Sequence, residues 1–304
     1  MAEDFDSQLK LFSVPKILDS CARNEISPAI TLLRLTSVSP DPTSLEAAVD
    51  LAVRTAATRL NLALAEVAAL YLENRSACER VMTMSIPKPA MEPMTANARI
   101  TQFRDAFDSW VQEDADLSVA AYTFGNPRLV QQATQEVVDV LEAWRLLGPM
   151  VDALQIGCGT GRIEALLGPK VRLAWGIDIS AKMIKKAEEI TAGVPNVRFI
   201  RCSGRDLDAF DANSFDLVYA VDSFPYIVQA GEEVVQHYFK EVARVLRPSG
   251  HFVIFQYSYR GDLSRDRSEI RRLATAYGYS IIREALTPFT IWDGIAYQLQ
   301  MKSI

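Results

Sequence analysis

The sequence predicts an α/β protein: a doubly wound, mostly parallel seven-stranded sheet preceded by an all-helical region. Three observations carry that prediction. From Val151 onward, short apolar runs alternate with helical patterns, the signature of parallel strands with helices packed on both faces. Within 153–162, Ala-Leu-Gln-Ile-Gly-Cys-Gly-Thr-Gly-Arg, an apolar run passes through Gly157, Gly159 and Gly161 directly into a helical pattern. Such a turn brings backbone close to a ligand, because a Cβ would hold the ligand off and positive φ costs glycine nothing. The first ninety residues, by contrast, read as helix with hardly a strand signal among them.

Composition narrows the function classes. A chain of 304 residues has room for one large domain and a smaller one. A net charge of −6 gives no electrostatic reason to expect nucleic acid or an anionic membrane as partner. Cys21, Cys78, Cys158 and Cys202 form no Cys-x-x-Cys pair and have no close histidine, so neither a disulfide framework nor a metal site is expected. The first residues are acidic where a signal peptide would be basic and then apolar, and a cytoplasmic location follows as the expectation.

The helical region has its own punctuation. Ser7–Cys21 carries apolar residues around Pro15, and Ser27-Pro28 starts a second helix with proline in its first turn. After the Ser39-Pro-Asp-Pro42 turn, Thr43 and Glu46 have the spacing of a capping box. No glycine or proline then appears before Pro87. Leu60, Leu64, Val67 and Tyr71 form one apolar face, and Leu62, Ala65, Ala69 and Leu72 a second, which predicts a helix buried on two sides. Residues 1–90 are therefore expected to be a packed helical region, with service as lid, substrate-binding element or homodimer interface as the functional alternative. Pro87–Pro93, with three prolines, is the expected linker to a domain spanning 91–304.

Helices are expected over Arg99–Val111 and Pro127–Leu147, with an aromatic loop, Tyr122–Asn126, between them. Strands are expected at Val151–Ile156, Arg172–Ile177, Val197–Cys202, Asp216–Val221, His251–Tyr257, Tyr279–Leu286 and Ala296–Lys302. Helices Ile163–Leu167, Lys182–Thr191, Glu232–Leu246 and Ser268–Tyr277 fill the gaps. The last two strands follow one another without a helix, so the final strand is expected to run antiparallel. Trp292-Asp-Gly294 between them reads as a tight turn, its tryptophan packing on the sheet or lining a pocket. His237 and His251 are expected to be structural or solvent-facing, and Arg265–Arg272 to be a solvated helix face.

The glycine turn alone leaves two cofactors open. Gly-x-Gly-x-x-Gly belongs to nicotinamide-binding folds, whereas the spacing here is Gly-x-Gly-x-Gly. Asp178 stands at the end of the second strand, where a carboxylate accepts both ribose hydroxyls, but any adenosine-containing cofactor asks for that. Further motifs discriminate. Gln155-Ile-Gly-Cys-Gly-Thr-Gly161, then Gly-Ile-Asp178-Ile-Ser180, then Asn213-Ser-Phe-Asp216-Leu-Val-Tyr-Ala, then Val245-Leu-Arg-Pro-Ser-Gly250-His-Phe-Val-Ile-Phe stand in order. In these the chain resembles the class I S-adenosylmethionine-dependent methyltransferases over about 127–304, which implies their Rossmann-like fold.

The resemblance also implies a cofactor, S-adenosyl-L-methionine, and roles for individual residues. Gln155, Gly157, Cys158 and Gly159 would form the turn beside its methionine part. Asp178 would hold the ribose hydroxyls and Ile179 the adenine face. Ser203, Gly204 and Arg205 would close round the adenine edge, and Val221 would lie near the transferring methyl. Two positions depart from the family's pattern: Gln155 replaces a usual Asp or Glu, and Ser203 a usual Asp. The implied reaction is in-line methyl transfer to a small-molecule acceptor, in which alignment supplies much of the rate. Asp222 is the candidate base where the acceptor must lose a proton, with Tyr226 beside it; capping of a following turn is its structural alternative. A non-catalytic cofactor-binding or partner-binding protein is the alternative function.

Overall fold

The computed structural model describes residues 13–83 and 94–303. These form two compact units. One, mainly helical, comprises residues 13–83, 113–133 and 289–293; the other, built on the sheet, comprises 94–112, 134–288 and 294–303. The expected linker at Pro87–Pro93 lies outside the described residues. Among the described residues no helix is long and apolar enough to cross a membrane.

In the helical unit, α1 (Val14–Ala22), α2 (Pro28–Val38), α3 (Pro42–Arg59) and α4 (Leu62–Thr83) pack around Leu18, Leu32, Leu35, Leu45, Leu64 and Val67. Ser27 caps α2 as its sequence suggests, accepting from the Ile30 amide. Three expectations need correction. The cap of α3 is Asp41, whose carboxylate accepts from Ser44 N at 2.8 Å, rather than a Thr43–Glu46 box. The chain breaks at Leu60, held left-handed at φ 50° without any glycine. Finally, α4 is buried on one side only. Leu64, Val67 and Tyr71 are inside, but Leu62, Ala65, Ala69 and Leu72 face out, with Leu62 85% and Leu72 76% exposed.

Residues 113–133 add a short helix, α6 (Ala115–Val119), capped by Asp114, and the start of α7 (Pro127–Ala143). Trp292 belongs with the helical unit. It stacks parallel to Tyr122 at 5.9 Å with Phe289 alongside, while Asp293 pairs with Arg34, so 289–293 belong to the helical unit.

The sheet unit holds seven strands: β1 (Gly148–Ile156), β2 (Val171–Asp178), β3 (Val197–Arg201), β4 (Phe215–Val221), β5 (Leu246–Phe255), β6 (Tyr279–Leu286) and β7 (Ala296–Met301). Their order is β3-β2-β1-β4-β5-β7-β6, parallel except for β7, which runs antiparallel to both neighbours. Helices α5 (Ala96–Glu113), α8 (Arg162–Leu167), α9 (Ala181–Ile190), α10 (Phe224–Ala230), α11 (Glu232–Val245) and α12 (Leu263–Ala276) belong with it. The short α10 has no counterpart in the sequence reading. β5 starts earlier than expected because Arg247-Pro-Ser-Gly250 continues the strand through a left-handed Ser249 rather than ending a helix.

The core follows from the strand sequences. Central strands covered on both faces carry unbroken apolar runs, as in Leu217-Val-Tyr-Ala-Val221 and Phe252-Val-Ile-Phe255, all buried. At the end of the sheet away from the strand C-termini, Arg247 bridges Asp152 and Asp216, and Arg172 also pairs with Asp152. The strand order reverses between β1 and β4. That switch point leaves a crevice beyond the carboxyl ends of the strands, where open α/β sheets bind ligands.

Candidate active site

The glycine turn lies at the carboxyl end of β1. Gly157 N and Cys158 N both donate to Ile177 O, at 2.8 and 2.9 Å, so the turn hangs from the end of β2. Gly157 has φ 70°, and a Cβ built there would lie 2.4 Å from the Ser223 Cβ. Ser223 in turn donates its hydroxyl to Ile156 O at 2.5 Å. The loops after β1 and β4 are thus in direct contact at the switch point.

Asp178 is the polar centre of the β2 side. Its Oδ2 accepts from Gly159 N at 3.0 Å and its Oδ1 from Ser180 N at 2.9 Å. Burial pushes its carboxyl up to about 6, against the downward pull of those amides, and Asp108 adds to the rise. Ser180 links the two acids, donating to Asp108 Oδ1 at 2.5 Å while capping α9 through Met183 N. Each Asp178 oxygen has a second lone pair beyond its amide bond. Ile179 packs with Ile100 against Gly204, where a Cβ would meet their methyl carbons at 2.7 and 2.9 Å. Ser203 donates to Asp206, and Arg205 is exposed with its amide on Ser203 Oγ. Cys158 is buried, its thiol pushed well up by desolvation, so it serves as packing rather than as a nucleophile.

The β4 side differs in character. Val221 is buried and ends the strand. Asp222 follows in the left-handed region at φ 55°, a strained conformation for a residue with a side chain. Its amide is tied to Phe255 O, and its Oδ1 accepts from the Tyr259 hydroxyl at 2.6 Å. The Tyr226 hydroxyl is hydrogen-bonded to Tyr259, and desolvation raises both phenols. Phe103, Phe107 and Tyr259 meet the Tyr226 ring edge-on, with centroids at 5.1, 5.0 and 5.8 Å.

Beneath the turn lies a polar group the sequence reading did not assemble. Gln155 is the register partner of Tyr219 on β4, and Glu164 on α8 reaches the same point. The hydrogen-bond network orients the Gln155 amide with its nitrogen toward the carboxylate. It then donates to the Glu164 oxygens at 2.5 and 3.3 Å and lies 3.3 Å from the Tyr219 hydroxyl, itself 3.2 Å from Glu164. All three are buried, and burial pushes the Glu164 carboxyl up to about 8.

Every residue proposed from sequence for this site belongs to the sheet unit, and the turn, Asp178, Val221 and Asp222 stand at the carboxyl edge. The reading missed Tyr259, Phe103, Phe107, Asp108 and Glu164. Phe103 and Phe107 share a helix face by their spacing, a signal that could have flagged α5. Tyr259 lies just past β5, where the carboxyl edge collects functional side chains. His237 is exposed, and His251 contacts Gln298 at 3.0 Å.

Residues 154–254 match the family described as a methyltransferase domain. Over these residues the chain is similar to the class I S-adenosylmethionine-dependent methyltransferases. YqeM of Bacillus subtilis, which carries the name of a methyltransferase, is 29% identical over 156 residues, 47% of this chain and 62% of YqeM. The 2-methyl-6-phytyl-1,4-hydroquinone methyltransferase of Synechocystis is 26% identical over 171 residues, 52% of each chain. The chain therefore matches between about half and three-fifths of the length of these relatives. The magnesium protoporphyrin IX methyltransferase of Synechocystis, solved with bound S-adenosylmethionine, superposes with a TM-score of 0.51 at 20% identity. That match covers 70% of this chain and all of the other, and it shows the shared fold. The methyltransferase family brings with it its cofactor, S-adenosyl-L-methionine.

Proposed function

We propose that the protein transfers a methyl group from S-adenosylmethionine to a small-molecule acceptor by in-line displacement, releasing S-adenosylhomocysteine. The observation that carries this reading is the contact between Gly157 and Ser223, which sets the cofactor turn against the residue following Asp222.

The site residues fit the cofactor. A buried carboxylate with spare lone pairs, Asp178, stands where ribose hydroxyls need acceptors, and Ile179 and Ile100 offer an apolar surface for adenine. Gln155, Gly157, Cys158 and Gly159 supply the turn for the methionine end, and Ser203, Gly204 and Arg205 the adenine edge. When bound, the cofactor supplies an activated methyl on a sulfonium leaving group. Asp222 accepts the acceptor's proton, Tyr259 orients the carboxylate, and Tyr226 bounds the pocket with Phe103 and Phe107. This aromatic wall suits an apolar or ring-bearing acceptor, in keeping with the hydroquinone named for one relative. The four free thiols accord with a reducing, cytoplasmic setting.

The test is release of S-adenosylhomocysteine over a panel of phenols, hydroquinones and amines, alongside calorimetry with S-adenosylmethionine and NAD. Turnover on one class supports the reading. Tight cofactor binding without turnover on any of them, or a preference for NAD, overturns it. The helical unit we assign to self-association, on the strength of the exposed stripe Leu62, Ala65, Ala69 and Leu72. Light scattering should give a homodimer, and Leu72→Asp a monomer; a monomeric parent protein would refute the assignment.

A further inference from the structure

The turn lacks the acid that the family's pattern places at position 155, yet a carboxylate lies directly beneath it. Glu164 comes from the following helix, is fully buried, and takes hydrogen bonds from the Gln155 amide and the Tyr219 hydroxyl. Its other charged or titratable surroundings are Arg162 on its own helix, Cys158 in the turn and Asp178 at the end of β2. No buried ion pair neutralises it among these contacts. A buried carboxylate without a paired cation is costly, and a bound cation above it would offset that cost.

We propose that Glu164 is a positioning residue for cofactor binding: through Gln155 and Tyr219 it holds, beneath the glycine turn, the acid that residue 155 would otherwise bring, and that acid gives up its proton when a cationic ligand end binds above it. The ligand end it serves is cationic, bearing an ammonium and a sulfonium. The inference rests on the proposed seating of the methionine end at the turn.

An exchange experiment tests it. Calorimetry is run on the parent protein, Gln155→Glu, Glu164→Gln and the double exchange, using S-adenosylmethionine and 5′-methylthioadenosine, which lacks the amino-acid part. Each single variant should lose about tenfold or more in S-adenosylmethionine affinity, one by setting two acids together and the other by removing the charge. The double exchange should return to within about threefold of the parent, and methylthioadenosine should bind all four alike. Unchanged affinity in Glu164→Gln overturns the proposal. So does a double variant as weak as the two single losses combined, or an equal loss for both ligands, which would mark general loss of packing. Melting temperatures verify that each variant folds, and the double exchange serves as the test should either single variant unfold. A parent protein that binds methylthioadenosine but not S-adenosylmethionine refutes the seating of the methionine end instead.

Discussion

Two aspartates at the carboxyl edge of one sheet are held in opposite ways. Asp178 is buried, and both its oxygens are engaged by backbone amides of the loops it organises. Asp222 has a strained backbone, and its carboxylate accepts a hydrogen bond from the Tyr259 phenol. The first arrangement makes an acid part of the scaffold, since backbone amides cannot move away without unfolding the turn. The second holds an acid at the end of β4 through another side chain, the Tyr259 phenol, rather than through backbone amides. The acid proposed to bind the cofactor and the acid proposed to react thus differ in what holds them.

The sharpest way to break the comparison is at Asp222, the acid proposed to react. Asp222→Asn should lower turnover by about 10²–10³-fold, within the range for general bases, while leaving cofactor affinity nearly unchanged. A parallel fall in cofactor affinity, read by calorimetry, would make the two acids alike. Asp178→Ala should do the reverse. It should cost about 1.5–3 kcal/mol of cofactor binding, the range for hydrogen bonds to a charged group, and also lower the melting temperature, because Gly159 N and Ser180 N lose their acceptor. In the parent protein, cofactor affinity should decline as pH falls through about 6, where the Asp178 carboxyl takes up its proton. Tyr259→Phe should reduce turnover by roughly tenfold or somewhat more, in line with the low end of about 1.5–3 kcal/mol for one hydrogen bond to a charged group, here the Asp222 carboxylate.

The smallest effect concerns stability. The folded Glu164 value of about 8 exceeds the 4.5 of an unperturbed glutamate, so the folded state holds its proton over a range where the unfolded state has lost it. The resulting stability is fully present below about pH 4.5 and is lost as pH rises through 8. Glu164→Gln has no such loss. Melting scans at pH 5 and pH 8 should therefore bring the parent down relative to the variant by roughly 5 °C. Parallel pH profiles for the two proteins would place the Glu164 proton elsewhere.

The sequence made the turn, the strand ends and the parallel core legible because each depends on residues adjacent in the chain. The three glycines, the apolar runs and Asp178 at the tip of a strand are local signals. What escaped it depends on distant partners. Tyr259 and Asp222 are 37 residues apart and meet only because β4 and β5 are neighbours. Gln155 looked like a lost charge because Glu164, nine positions on, returns to it only after the turn has folded the helix back over β1. The break at Leu60 carries no glycine to announce it, and the outward face of α4 has the same apolar spacing as its buried one. Periodicity gives the faces of a helix but not how many of them are covered.

The missing side chain at Gly157 has a further consequence. The Ser223 Cβ occupies the space a Gly157 Cβ would need, so the two positions share a volume that admits one carbon atom. On the proposed function, a methyl donor on the first loop and an acceptor on the second would be spaced by covalent backbone and a single serine. Sequences of this architecture should obey an exclusion rule: a residue larger than glycine at the first position requires glycine at the second.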